Sequence, residues 1–249
     1  GLVGSEMCIR DRSWFMILFK HVGDLEPIEL ESITDKETGK RVYLTPSGKK
    51  YPSVTTVIGN NKKKMKAIMQ WRRRVGEAEA NRVSAQATGR GTKYHSIVED
   101  YFNNDLDLKK FKSSPLPVLM FQHSRPTLDR INNIYVQEVA LYSDKLELAG
   151  RVDCIAEFDG VLSIIDFKTS AKQKTDERLY DYFVQECAYA CMLLEQYNIR
   201  VEQLVTIVAC EDGDTQVVVR PVKKIYLDSL LQYINEYKVA HGKKQTIRR

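Results

Sequence analysis

The rhythm of apolar and polar positions along the chain changes near Ile134. From about residue 62 to 133 the apolar positions recur at helical spacing, with interruptions at Gly76, at TGRGT (88–92) and at Pro115–Pro117. Thr92 is the expected N-cap of a helix through KYHSIVEDYF, since its hydroxyl can accept from a free backbone N–H of the first turn. From Ile134 onward, IYVQEVALY, LELAGRVDCIAEF and VLSIIDFKTS are rich in β-branched and aromatic residues and are separated by SDK and by Asp159-Gly160. That pattern predicts a three-stranded antiparallel meander. A helix over about 178–197, strands QLVTIVAC and TQVVVRP around an EDGD turn, and a last helix near 225–239 complete an α/β order, a mixed sheet covered by helices. Upstream, Thr38-Gly39 and Ser47-Gly48 punctuate short β-type runs before YPSVTTVIG, predicting a small sheet. Residues 1–15 do not pattern like the start of a domain and are expected to be a non-native or disordered leader. Residues 16–249 are then one domain, with a helical insertion over 62–133 and the core over 134–249.

Three charged residues interrupt the most apolar of these runs. If Asp159-Gly160 forms a two-residue type I′ turn, Phe158 pairs with Val161, and counting outward sets Asp153 opposite Asp166. Directly opposed side chains have Cβ atoms ~4.5–5.5 Å apart, and like charges there repel. Lys168, two residues beyond Asp166, falls on the same face. Paired carboxylates at a half-buried position either take up a proton or hold a cation between them. Hard divalent ions such as Mg²⁺ and Mn²⁺ suit that oxygen-rich setting. A solvated hairpin face with an incidental Asp-x-Lys is the alternative that this stretch alone leaves open.

Other polar residues share faces with plausible partners. His95 and Glu99 are four apart on one helix, which makes His95 a candidate third metal ligand; a satisfied surface histidine is the alternative. Gln185 and Tyr189 repeat that spacing on a helix apolar nearly all round, so the glutamine needs partners. It is either bonded to backbone in the core or it bridges Lys168 toward substrate phosphate. Ser53, Thr55 and Thr56 lie near a turn, with hydroxyls able to donate to phosphate oxygens.

Charge sharpens the picture. Between Lys62 and Lys93 stand ten Lys/Arg against Glu77 and Glu79, so this segment carries +8 of a total of +5 and the rest of the chain carries −3. Such a block suits a polyanionic partner, or is a solvated helix surface. Within it Trp71 precedes Arg72, Arg73 and Arg74; an aromatic among arginines suits single-stranded nucleic acid, where bases stack on rings. Alternatively Trp71 joins Ile68 and Val75 in a core stripe. Overall composition, 29% charged and 43% hydrophobic, is ordinary for a globular protein, and no run approaches a membrane span. The five cysteines are odd in number and scattered, without a CxxC pair, which points to a reducing compartment and away from an all-cysteine metal site.

Taken together, GTKYH, GRVD, DFK thirteen positions later, and QECAY resemble the ordered motifs of the PD-(D/E)XK nucleases, in their RecB-type exonuclease branch. The likeness extends over roughly residues 50–240 and includes YPSVTTVIG and the tryptophan–arginine helix. It implies a restriction-endonuclease-like core with the helical insertion arching over the site. It further implies Asp153, Asp166, His95 and the Phe167 carbonyl as ligands of Mg²⁺ or Mn²⁺, with Lys168 activating the attacking water. Ser53, Thr55, Trp71, Arg72, Arg73, Arg74, Arg90, Gln185 and Tyr189 become contacts to a DNA strand.

The expected protein is thus a monomeric, metal-dependent exonuclease that takes single-stranded DNA by a free end, with no iron–sulfur cluster and no membrane partner. Lacking a basic, acid-poor transit segment, it looks phage-like, at work in the cytoplasm of an infected bacterium, rather than mitochondrial. The rivals are a non-catalytic single-strand-binding or recombination module and a duplex-specific endonuclease of the same superfamily.

Overall fold

The computed structural model describes residues 17–246, so the expected leader over 1–15 lies outside the described residues. Strands β1 (Glu31–Thr34), β2 (Arg41–Leu44) and β3 (Lys50–Pro52) form the small antiparallel sheet. Helices α1 (Val54–Gly59), α2 (Lys62–Val75), α3 (Glu77–Phe102) and α4 (Pro115–Leu128) follow, with a 3₁₀ turn at Leu108–Phe111. The main sheet is ordered β4 (Ile131–Ser143), β5 (Leu148–Phe158), β6 (Val161–Ser170), β7 (Gln203–Cys210) and β8 (Thr215–Pro221). Its β6–β7 pair is parallel and its other neighbours are antiparallel. A parallel pair needs a crossover, supplied by α5 (Asp176–Tyr197); α6 (Lys224–Thr246) closes the fold. Among the described residues no helix is long and apolar enough to cross a membrane.

The sheet is covered on both faces, so its central strands are apolar on both sides. Ile155, Ile164, Leu204 and Val208 pack with α5 in one core. Ile165, Phe167, Val205 and Ile207 pack with α3 and α4 in the other. This sandwiching explains why β6 and β7 read as nearly continuous β-branched runs rather than clean alternation.

Two boundaries near the centre of the chain differ from the sequence expectation, and the last helix runs beyond 239 to Thr246. The TGRGT stretch does not interrupt the helix: α3 runs unbroken from Glu77 to Phe102. Thr92 is therefore an interior residue, its hydroxyl donating back to the Thr88 carbonyl at 2.9 Å. Glycines in a helix cost about 1 kcal/mol each, and here tertiary bonds hold them: Arg90 reaches Thr169 at 3.2 Å and Glu211 at 2.6 Å. Gly76, with φ of 88°, is a true break. The second difference is β4, which starts at Ile131; register shifts between Asn132 and Val136 scramble its early alternation.

Gly150 links the sheet to α5. A Cβ there would stand 2.8 Å from Tyr189 Cε1 and 3.2 Å from its hydroxyl. Gly150→Ala is expected to lower stability by about 1–3 kcal/mol, the cost of overpacking a filled site. Urea unfolding checks this, and a wild-type midpoint would show that Tyr189 can yield.

A candidate active site at the split between two strands

The Asp159-Gly160 turn forms as expected, with both residues left-handed (φ 49° and 81°) and Phe158 paired with Val161. The β5–β6 ladder then runs to Cys154 opposite Ile165, and the next step in that register is Asp153 opposite Asp166. Here the strands part. The Phe167 N–H donates to Asp153 Oδ2 at 2.8 Å. Strand β6 meanwhile stays paired with β7, Asp166 beside Thr206 and Lys168 beside Val208. His95 reaches from α3 into the opening, its Nε2 2.7 Å from the Phe167 carbonyl.

Lys168 sits between acid and amide. Its Nζ lies 2.8 Å from Asp166 Oδ2 and donates to Gln185 Oε1 at 3.2 Å, while Gln185 Nε2 donates to the Tyr189 hydroxyl at 3.1 Å. The ammonium also stands 4.7 Å from the Tyr182 ring centre. Asp166 is 2% exposed, and its Oδ2 is paired with that ammonium. Asp166, Lys168, Gln185 and Tyr189 line a cavity of about 390 Å³. Its far wall belongs to the small sheet and the start of α1: Arg41, Tyr43, Ser53 and Thr55. Ser53 caps α1, accepting from the Thr56 N–H at 3.1 Å.

Burial and like charge dominate the electrostatics. Burial, then the Asp166 charge, pushes the Asp153 carboxyl well above the ordinary range. Burial opposes a charged Lys168, but Asp166 and Asp153 outweigh it and hold the ammonium above the usual lysine range. For His95, burial again opposes charge, yet Glu138, Asp153 and Asp166 together raise its pKa to about 9. Beneath the site, Glu186 is fully buried and accepts from the Thr206 hydroxyl; burial and then Asp166 raise its pKa well above normal.

The structure brings together most of the residues singled out in the sequence. Asp153, Asp166, Lys168, His95, Phe167, Gln185, Tyr189, Ser53 and Thr55 all border the one cavity. The arginines divide. Arg72 is clamped to Glu77 at 2.6 Å and to Asn81, and Arg90 is 14% exposed on its Glu211 pair, whereas Arg73 and Arg74 are exposed. The core-stripe alternative for Trp71 fails: α2 buries no residue, Trp71 is half-buried and Ile68 is 45% exposed. Glu99 is half-buried, its pKa raised by burial and then by Glu138.

Glu138 lies on the strand before Asp153, where the sequence allows it to face the site but leaves its register to the turn between β4 and β5. It stands beside His95, with Oε1 3.7 Å from Nδ1. Ligand atoms of His95, Glu138 and Asp153 lie within 4.8 Å of one another. Arg41 and Tyr43, by contrast unforeseen, carry only the weak signal of alternation in a four-residue strand.

The mixed sheet flanked by helices has the arrangement of the restriction-endonuclease-like fold. Residues 120–240 match the family profile of the PD-(D/E)XK nuclease superfamily. Mitochondrial genome maintenance exonuclease 1 of Homo sapiens is 26% identical over 171 residues, 65% of this chain and 50% of the relative. The Mus musculus protein of the same name is 27% identical over 173 residues, with the same coverage. This chain thus spans about half the length of the curated relatives it matches. A solved structure of a candidate exonuclease from Eubacterium rectale aligns with 61% of this chain and 68% of its own, at 14% identity and a TM-score of 0.43.

The raised His95 pKa has a measurable consequence. Its stabilising contribution is fully present below the ordinary value of 6.5 and is lost as pH climbs through about 9. In a chelating buffer, the urea midpoint is expected to fall across that interval, and His95→Gln to shrink the fall. An equally steep decline in the variant would detach His95 from the acids.

Proposed function

We propose that the chain is a Mg²⁺- or Mn²⁺-dependent exodeoxyribonuclease that prefers single-stranded DNA entering by a free end. The observation that supports this most is the meeting of Asp153, Asp166, Lys168 and His95 at one cavity where two strands split. The exonuclease names of the curated relatives point the same way.

The donor set fits a hard divalent ion. It is oxygen-rich with one imidazole: His95 and Asp153 hold ligand atoms within 4.8 Å of each other, and the buried Asp166 carboxylate lines the same cavity beside the Lys168 ammonium. Asp153, Asp166, His95 and the Phe167 carbonyl would hold the ion, which when bound polarises a phosphoryl oxygen and lowers the pKa of a water. Lys168, steadied by Gln185 and Tyr189, sets a cation against the scissile phosphate and orients the attacking water. Ser53 and Thr55 donate to phosphate oxygens from the opposite wall.

Helix α2 is proposed as a bridge under which the strand passes. It is tied at its start to α5 by the Lys63–Glu177 pair and at its end to α3 by Arg72–Glu77, with no buried residue between. Trp71 offers a stacking face, and Arg73 and Arg74 offer charge to the backbone.

End-labelled single strands are expected to be digested with Mn²⁺ or Mg²⁺ and spared in chelator, while closed single-stranded circles stay intact; cut circles would overturn the free-end requirement. Asp166→Asn and Lys168→Ala should each lower turnover at least 10²–10³-fold, on the order of losing one preorganised electrostatic group, with strand binding largely kept. Full activity in either would refute the assignment. Replacing both Arg73 and Arg74 by Ala should flatten the salt dependence of binding by about 0.7 for each phosphate that is no longer neutralised. An unchanged slope would take α2 off the DNA path.

A further inference from the structure

We propose that Glu138, on β4, is a further metal-holding residue, so that the proposed centre draws on β4 as well as on β5, β6 and α3. The inference rests on the metal-dependent reading above. It starts from the backbone. Glu138 has φ of 50° inside a β-strand, a left-handed conformation that glycine adopts freely and a glutamate does not. Such departures persist only where the surroundings hold them, and they gather at functional sites.

The strain has a definite effect on the sheet. Glu138 falls opposite Asp153, between the pairs Gln137–Cys154 and Val139–Val152. Val136 and Ile155 pack in the same core as Val139 and Val152, three residues along each strand. Strict alternation would send the two pairs to opposite faces. Both strands therefore change phase at the Glu138–Asp153 step, and the left-handed residue lies at that step.

The side chain is held at one oxygen and directed at the other. Arg151 Nε donates to Oε2 at 3.2 Å. Oε1 lies 3.7 Å from His95 Nδ1, the same nitrogen that stands 3.8 Å from Asp153 Oδ1. These ligand atoms lie within 4.8 Å of one another. Asp166, its side chain 3% exposed, lines the same cavity with Oδ2 paired to the Lys168 ammonium at 2.8 Å, so a further buried carboxylate borders the space these ligand atoms surround. A partner for Arg151 alone would not require this backbone, since that arginine is 55% exposed and could pair from an ordinary strand residue.

The test is Mn²⁺ binding by the full chain, followed by the electron paramagnetic resonance of free Mn²⁺, together with melting temperature. Wild type is expected to bind and Asp153→Asn to lose binding. Glu138→Gln should weaken affinity about tenfold or more, in the range for groups that support a metal site. Glu138→Gly, which relieves the left-handed strain, should bind as weakly while melting at the wild-type temperature or above. Wild-type affinity in both Glu138 variants, with Asp153→Asn defective, would overturn this inference and leave the metal-dependent reading standing. Melting temperatures that fall in both variants in step with Mn²⁺ affinity would make Glu138 a folding residue and overturn it too. No Mn²⁺ binding by wild type would overturn both readings.

Discussion

Two carboxylates forced into one buried pocket set the terms for everything around them. Asp166 is buried and Asp153 largely so, and they meet where β5 and β6 part, so burial and then the Asp166 charge make ionisation of Asp153 harder. A charge buried that way persists only if cations and donors are supplied at fixed positions. Lys168 supplies one, His95 another, and the Phe167 N–H gives its hydrogen bond to Asp153. The parting of β5 from β6 gives those compensating groups access to the acids. Because β6 remains paired to β7 through Ser170, the opening develops on the β5 side alone.

The scaffold under this pocket is stiff for reasons that do not involve the pocket. Two separate cores clamp the sheet, one through α5 and one through α3 and α4. Tyr189 rests on the bare backbone of Gly150, which lets the Gln185–Lys168 contact form with little freedom of position. Helix α2 by contrast buries no residue, and its side-chain ties to α5 and α3 are the Lys63–Glu177 and Arg72–Glu77 ion pairs at the surface, where solvent screens such pairs. Under the proposed function, that pocket would grip a polymer at one bond while the basic helix lets the strand pass.

Much of this was legible along the chain. The Asp-Gly turn and two β-branched runs placed Asp153 against Asp166, and the i, i+4 spacing joined Gln185 to Tyr189. Strands β7 and β8 begin and end where the apolar pattern does. Other inferences from local pattern failed. Glycines at 89 and 91 read as a break, but Arg90 bonds across to β6 and to Glu211 and keeps the helix whole. Trp71 read as a core residue in one alternative, yet nothing packs over α2 closely enough to bury it.

Sequence by itself determined the period of each element, the register of the central hairpin and the identity of the acid–acid–lysine set, because these arise between residues close along the chain. Tertiary structure alone decided that His95 meets the Phe167 carbonyl, that Arg72 and Arg90 turn to protein acids, and that Glu138 enters the site. Most of those contacts join residues far apart in the chain, and Glu138 depends on a left-handed kink that no residue preference announces. Only the assembled sheet, with its faces already committed to two cores, makes that conformation the lower in energy.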